Sequence, residues 1–159
     1  MPAYFSIDFQ YQKTDIHESV VEDFFSKLLE CGLTYKSGYW HSEKDGLDEI
    51  LLWNQKKLAE DFQLGYTEHY THDYKQMLFA FHDFSEVRLI LHNSTESNSF
   101  SFYLVIPEDD FVIYEEKTGK TKRLEKRMDI VKNLALHMWQ IGNMCCIQTS
   151  WECSDLVTD

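Results

Sequence analysis

Apolar and polar residues alternate strictly from Tyr4 to Tyr11. Phe5, Ile7, Phe9 and Tyr11 fall on one side, and Tyr4, Ser6, Asp8 and Gln10 on the other. A period of two built from aromatic and β-branched residues predicts a strand with one buried face. The period then changes. Ile16, Val20, Phe24 and Leu28 recur every four residues, with Val21, Phe25 and Leu29 in the adjacent row, the stripe of a helix packed on a sheet. Asp15 and Glu18 have the spacing of a capping box at its start. Gly32 stands where a left-handed C-terminal cap belongs.

Further along, LTYKSGYWHS predicts a second strand with a bulge at Gly38. LDEILLWNQKKLAEDF predicts a second helix through Leu47, Ile50, Leu51, Leu58 and Phe62. KQMLFAF, VRLILH and SFSFYLVI are three strand-like runs, joined by HDFSE and NSTESN, which read as hairpin connections. FVIYE reads as a further strand. A third helix is expected from about Lys122 to Ile141, with Leu124, Met128, Val131, Ala135 and Met138 as its stripe and Gly142 at its end. MCCIQTSW reads as the last strand. This order predicts an α+β fold: a mostly antiparallel sheet of about five to seven strands, with three helices packed largely on one face. The first strand–helix–strand unit is compatible with a right-handed parallel crossover. No repeat or linker divides the chain, so one domain is expected over residues 1–153, with a frayed tail over 154–159.

Charge changes the picture more than size does. Among 159 residues, 27 Asp and Glu stand against 15 Lys and Arg, a net charge of -12. Such a surface repels phosphate backbones and anionic membranes and attracts a basic partner. The opening MPAYFSIDFQYQ has neither the positive start nor the apolar run of a signal peptide, and no apolar run is long enough to span a bilayer. A cytoplasmic location is the expectation, and the four cysteines, without a C-x-x-C pair, fit reduced thiols.

Several motifs invite chemistry. Gly119-Lys120-Thr121 resembles the end of a phosphate loop, but Tyr114 occupies the place of the first glycine, and Glu115 and Glu116 would face the phosphates. A glycine turn before the third helix, with Thr121 as its cap, explains the stretch better. His69 and His72, with Glu68 and Asp73, suggest metal ligands without a full set, so no metal or cofactor is expected. His82, Asp83, Ser85 and Glu86 lack the G-x-S-x-G elbow of a hydrolase and suit a turn. Cys145 and Cys146 fall in a run that reads as a core strand, where thiols are inert.

Three acidic groupings remain: Glu43, Asp45, Asp48 and Glu49; Glu60, Asp61, Glu68 and Asp73; and Glu108, Asp109, Asp110, Glu115 and Glu116. They are interleaved with Tyr39, Trp40, Trp53, Tyr66, Tyr70, Tyr74, Phe111 and Tyr114. Aromatic anchors ringed by carboxylates suit a surface that grips a basic protein. Asp45, Asp48, Glu49, Glu68, Tyr70, Asp73, Glu108, Asp109, Asp110, Glu115 and Glu116 are its expected contacts. In size and acidity the chain is similar in general character to bacterial immunity proteins, which neutralise a toxin, most naturally a basic nuclease. The expectation is therefore a non-enzymatic inhibitor that covers its partner's active site. The alternative is a small-molecule-binding or enzymatic domain with a pocket lined by Tyr70, Trp40, Trp151 and His69 or His72.

Overall fold

The computed structural model describes residues 3–59, 74–94 and 98–152. Its elements run β1 (Tyr4–Gln12), α1 (Val20–Glu30), β2 (Thr34–Tyr39), α2 (Leu47–Ala59), β3 (Gln76–Ala80), β4 (Val87–Ser94), β5 (Ser99–Pro107), β6 (Val112–Glu115), β7 (Lys120–Arg123), α3 (Glu125–Met138) and β8 (Met144–Trp151). Six strands form one sheet in the order β2-β3-β4-β5-β1-β8, while β6 and β7 make a separate hairpin. Every neighbouring pair is antiparallel. The fold is α+β.

The alternation in β1 does what a period of two requires: Phe5, Ile7, Phe9 and Tyr11 are all buried. Their side of the sheet continues through Phe100, Phe102, Leu104, Leu89, Leu91, Met77 and Phe79, also buried. The helices cover this side. Phe24 of α1 stacks on Phe102 with ring centroids 4.1 Å apart and meets Phe9 edge-on at 5.2 Å. Phe25 reaches Phe79 and Tyr35. Each fully buried phenylalanine contributes about 2–3 kcal/mol, so aromatic interdigitation carries much of the contact between the layers. The other side of the sheet has no helix among the described residues.

Helix α1 ends as its sequence predicts. Gly32 has φ +101, its N–H donates to Leu29 O (3.1 Å), and Leu33 N–H donates to Leu28 O (3.1 Å), the paired bonds of a Schellman cap. Its start differs. The expected box at Asp15 and Glu18 is not formed, because Lys13–Asp15 is a short 3-10 turn and the helix begins at Val20. The first turn is capped from another helix instead: Gln55 Oε1 of α2 accepts from Val21 N–H (3.0 Å), and Gln55 Nε2 donates to His17 O (2.8 Å).

Three other expectations meet the structure, and the first and third of them need correction. The bulge in β2 lies between Tyr35 and Ser37, not at Gly38. Gly38 has another reason to be glycine: a Cβ there would meet Ser42 O at 1.8 Å, because the chain folds back on itself after Trp40. Secondly, the first strand–helix–strand unit does join two parallel strands of one sheet, β1 and β2, with three strands between them. Thirdly, the basic stretch after Gly119 is not the start of a helix. Lys120–Arg123 is β7, and Thr121 pairs with Tyr114 across the hairpin instead of capping α3. FVIYE is thereby a strand of this hairpin, outside the main sheet.

Candidate partner-binding surface

The register sorts the acidic groupings by the end of the sheet they occupy. Tyr39, Gln76, Ser99, Gln12 and Met144 share one end; Thr34, Ala80, Val87, Pro107, Tyr4 and Trp151 share the other. Asp45 and Glu49 belong to the first end, where both meet Lys75 Nζ, at 2.9 and 3.2 Å. The grouping of Glu108 to Glu116 follows Pro107 and is rooted at the opposite end. The described carboxylates therefore do not merge into one shared face.

Burial removes two of the expected contacts. Glu108 is 3% exposed and Asp110 8%. Asp110 Oδ2 accepts from Ser85 N–H (2.9 Å) and Ser85 Oγ–H (2.8 Å), so it satisfies the β3–β4 turn. Arg127 donates to Asp110 O and pairs with Asp83 (2.9 Å). HDFSE is thus a turn tied through Ser85 to Asp110 and through Asp83 to Arg127 of α3. Asp109, Glu115 and Glu116 stay exposed, the last two at the hairpin end with Lys117 and Lys120. Glu68, Tyr70 and Asp73 lie outside the described residues, as do Glu60, Asp61, Tyr66, His69 and His72. The aromatic pocket of the alternative reading does not assemble from its two described members. Trp40 follows β2 at one corner of the sheet, and Trp151 ends β8 at the diagonal corner, packed on Phe5 and Phe111.

Asp48 finds new company. Because Gln55 clamps α2 onto the start of α1, Asp48 converges with Glu18 and Glu22 around Leu51 and Leu52, a shallow depression of about 180 Å3. Leu52 is 64% exposed. No cation among the described residues pairs with these three carboxylates. Asp23, on the next face of α1, is occupied by His17 Nε2 (3.0 Å), which holds its carboxyl below the usual range and raises the imidazole. Glu18 and Glu22 are the residues that sequence reasoning missed. Their spacing of four residues is legible in the sequence, but Glu18 precedes α1 and reads there as part of a cap that the helix does not use.

Two further concavities frame the sheet. Between α3 and β8 runs a groove of about 750 Å3, lined by Met128, Asp129, Lys132, Leu136, Trp139 and Ile147 among others. On the uncovered side of the sheet, Asp8, Gln10, His92, Ser101 and Tyr103 line a depression of about 400 Å3. There Asp8 Oδ2 accepts from Gln10 Nε2 (2.7 Å), and burial and then the neighbouring Asp8 carboxylate raise the pKa of the Tyr103 hydroxyl. Burial lowers the His92 pKa, opposed in part by Asp8. Arg88 lies on the same side, 4.8 Å from the centre of the Tyr4 ring and 4.7 Å from that of Tyr39, paired with Glu86 at 2.6 Å.

The thiols also depart from expectation. Cys145 is the extra residue of a bulge in β8, exposed, not a core residue. Its Sγ donates to Gln10 O (3.4 Å) and Cys146 Sγ to Gln10 Oε1 (3.0 Å), with burial pushing the Cys146 thiol up. Cys31, Cys145 and Cys146 are free, and Cys153 lies outside the described residues. Among the described residues no three His, Cys, Asp or Glu side chains gather to hold a metal, and no helix is long and apolar enough to cross a membrane.

Compared with protein-family models, with curated proteins and with solved structures, the chain finds no match. What defines it is therefore its own geometry: an α+β fold with an acidic rim around exposed leucine on its helical layer, without a paired cation among the described residues.

Proposed function

We propose that this chain is a cytoplasmic protein-binding inhibitor of the immunity class, which covers the basic active site of a cognate toxin, most naturally a nuclease. One observation carries the reading. Glu18, Glu22 and Asp48 converge on exposed Leu52, and no cation among the described residues answers them. A lysine or arginine fits such a place from both ends: its aliphatic stem lies on leucine while its charge meets carboxylate. The net charge of -12 adds long-range attraction for a basic partner and repels nucleic acid. A nuclease, which must hold phosphates, offers that basic surface.

The test uses the basic protein encoded beside this gene, with binding followed by calorimetry and protection by co-expression. Glu22→Lys combined with Asp48→Lys should weaken binding about 100-fold or more and abolish protection, because like charges now face each other in the contact. Leu52→Asp should weaken it about tenfold through the lost apolar stem contact. Affinity unmoved by all three substitutions would sink this reading.

The depression around Asp8 favours a second reading, a small-molecule site. Its observation is the Asp8 carboxylate grouped with His92 and Tyr103 in that depression, and it predicts that Asp8→Asn abolishes saturable binding of a small cationic ligand such as an amine.

A further inference from the structure

We propose that β8 pairs with β8 of a second copy of this chain, joining two six-stranded sheets edge to edge over their α3–β8 grooves. This goes beyond the inhibitor reading and uses a different flank. α1 packs against both α2 and α3, and the acidic rim lies between α1 and α2, away from β8.

The argument begins with hydrogen bonds. β8 is a sheet edge, paired only with β1 among the described residues. Glu152 N–H donates to Tyr4 O, and the strands then pair Ser6 with Ser150 and Asp8 with Gln148. The alternation of an antiparallel ladder directs the N–H and C=O of Ile147, Thr149 and Trp151 away from β1, along the free edge. Soluble proteins guard such edges with charge, proline or a bulge. From Cys146 to Trp151 β8 has none of these.

The occupant follows from charge. A basic partner is not favoured here, because the edge itself is neutral and the adjoining stripe of α3 is mixed: Glu125, Asp129, Lys132, Leu136 and Trp139. A mixed stripe suits a copy of itself. In a two-fold antiparallel arrangement centred near Thr149, the helices run opposite ways, so Asp129 of one copy meets Lys132 of the other. The same contact covers Leu136 and Trp139, which are 61% and 48% exposed in the single chain. Two sheet edges meeting this way leave no unguarded strand at that end.

Sedimentation velocity of the full chain, from about 1 to about 100 µM, is the test. A species of twice the chain mass is expected, and added salt should strengthen it by screening the repulsion between two chains of charge -12. Thr149→Lys, which sets two cations against each other at the two-fold, should raise the dissociation constant about tenfold or more. Leu136→Asp with Trp139→Ala should do the same from the helix side, and covers the case in which Thr149→Lys disturbs folding as judged by circular dichroism. Leu52→Asp, on the opposite flank, should leave the mass unchanged while weakening partner binding, which separates this inference from the inhibitor reading. A chain that stays monomeric at every concentration and salt overturns the proposal. So does a dimer indifferent to the substitutions in β8 and α3, or a monomer whose β8 accepts the strand of a different protein.

Discussion

At the β2 edge of the sheet Lys36 occupies a bulge, Gly38 is pressed against the backbone of Ser42, and the strand runs into a 3-10 turn at Trp40–Ser42. At the β8 edge the bulge comes at the first turn-proximal residues, and the remaining strand is regular, neutral and bordered by an apolar groove. The first edge is guarded by that bulge and its lysine. Asn54 of α2, fully buried, reinforces it: Nδ2 donates to Lys75 O and Oδ1 accepts from Lys75 N–H, both at 2.8 Å, fixing the approach to β3. The second edge has no such fastening among the described residues. One sheet therefore carries a finished border, interrupted by a bulge and a charge, and an open one that is regular and neutral, and the open one is where another strand can add.

The largest expected effect lies at the finished border. Gly38→Ala places a methyl 1.8 Å from Ser42 O, where backbone must move, and should cost about 3 kcal/mol or more in urea unfolding. Its counterpart on the open border, Thr149→Ala, should change stability by less than about 0.5 kcal/mol. Equal effects at the two positions would erase the contrast.

Asn54→Ala comes next. It leaves the N–H and C=O of Lys75 without their partners and should cost about 2–3 kcal/mol, again read from urea midpoints. A loss under about 0.5 kcal/mol would mean that water replaces the clasp.

The smallest effect sharpens the picture between the borders, on the uncovered side. His92 of β4 is half-buried near Asp8 of β1 and Tyr103 of β5, and burial holds its pKa below the ordinary value. The unfolded chain then takes up its proton first. The contribution to stability is full above about pH 6.5 and is lost as pH falls from there through the folded pKa. Unfolding midpoints measured from about pH 7.5 down to about 5 should fall less in His92→Gln than in the unsubstituted chain.

The sequence made the central sheet legible because burial on one face imposes a strict period. β1, the β3–β4–β5 meander and β8 come out where alternation places them, and Phe24 and Leu28 mark the buried stripe of α1. The short hairpin was misread because Lys120–Arg123 has no buried face to impose a pattern; both faces of β7 are wet or half-wet. The acidic surface was misjudged for a related reason. Counting carboxylates gives their number, not their neighbours. Asp110 looked like part of a charged run and is the hydrogen-bond acceptor of a turn twenty-five residues away in the chain. Glu18 looks like a cap in the sequence and has no cation beside it among the described residues, while Gln55 of another helix does the capping.

By itself, the sequence determined that an antiparallel sheet would form, that helices would cover one side, and that the whole would carry a large negative charge. Those are local or additive properties: periodicity follows from backbone geometry, and net charge is a sum. Only the tertiary structure decided which carboxylates are neutralised, which are buried, and which edge of the sheet is left open. Each of these depends on groups far apart in the chain brought within a few ångströms, where hydrogen bonding and charge act over distances that sequence order does not record.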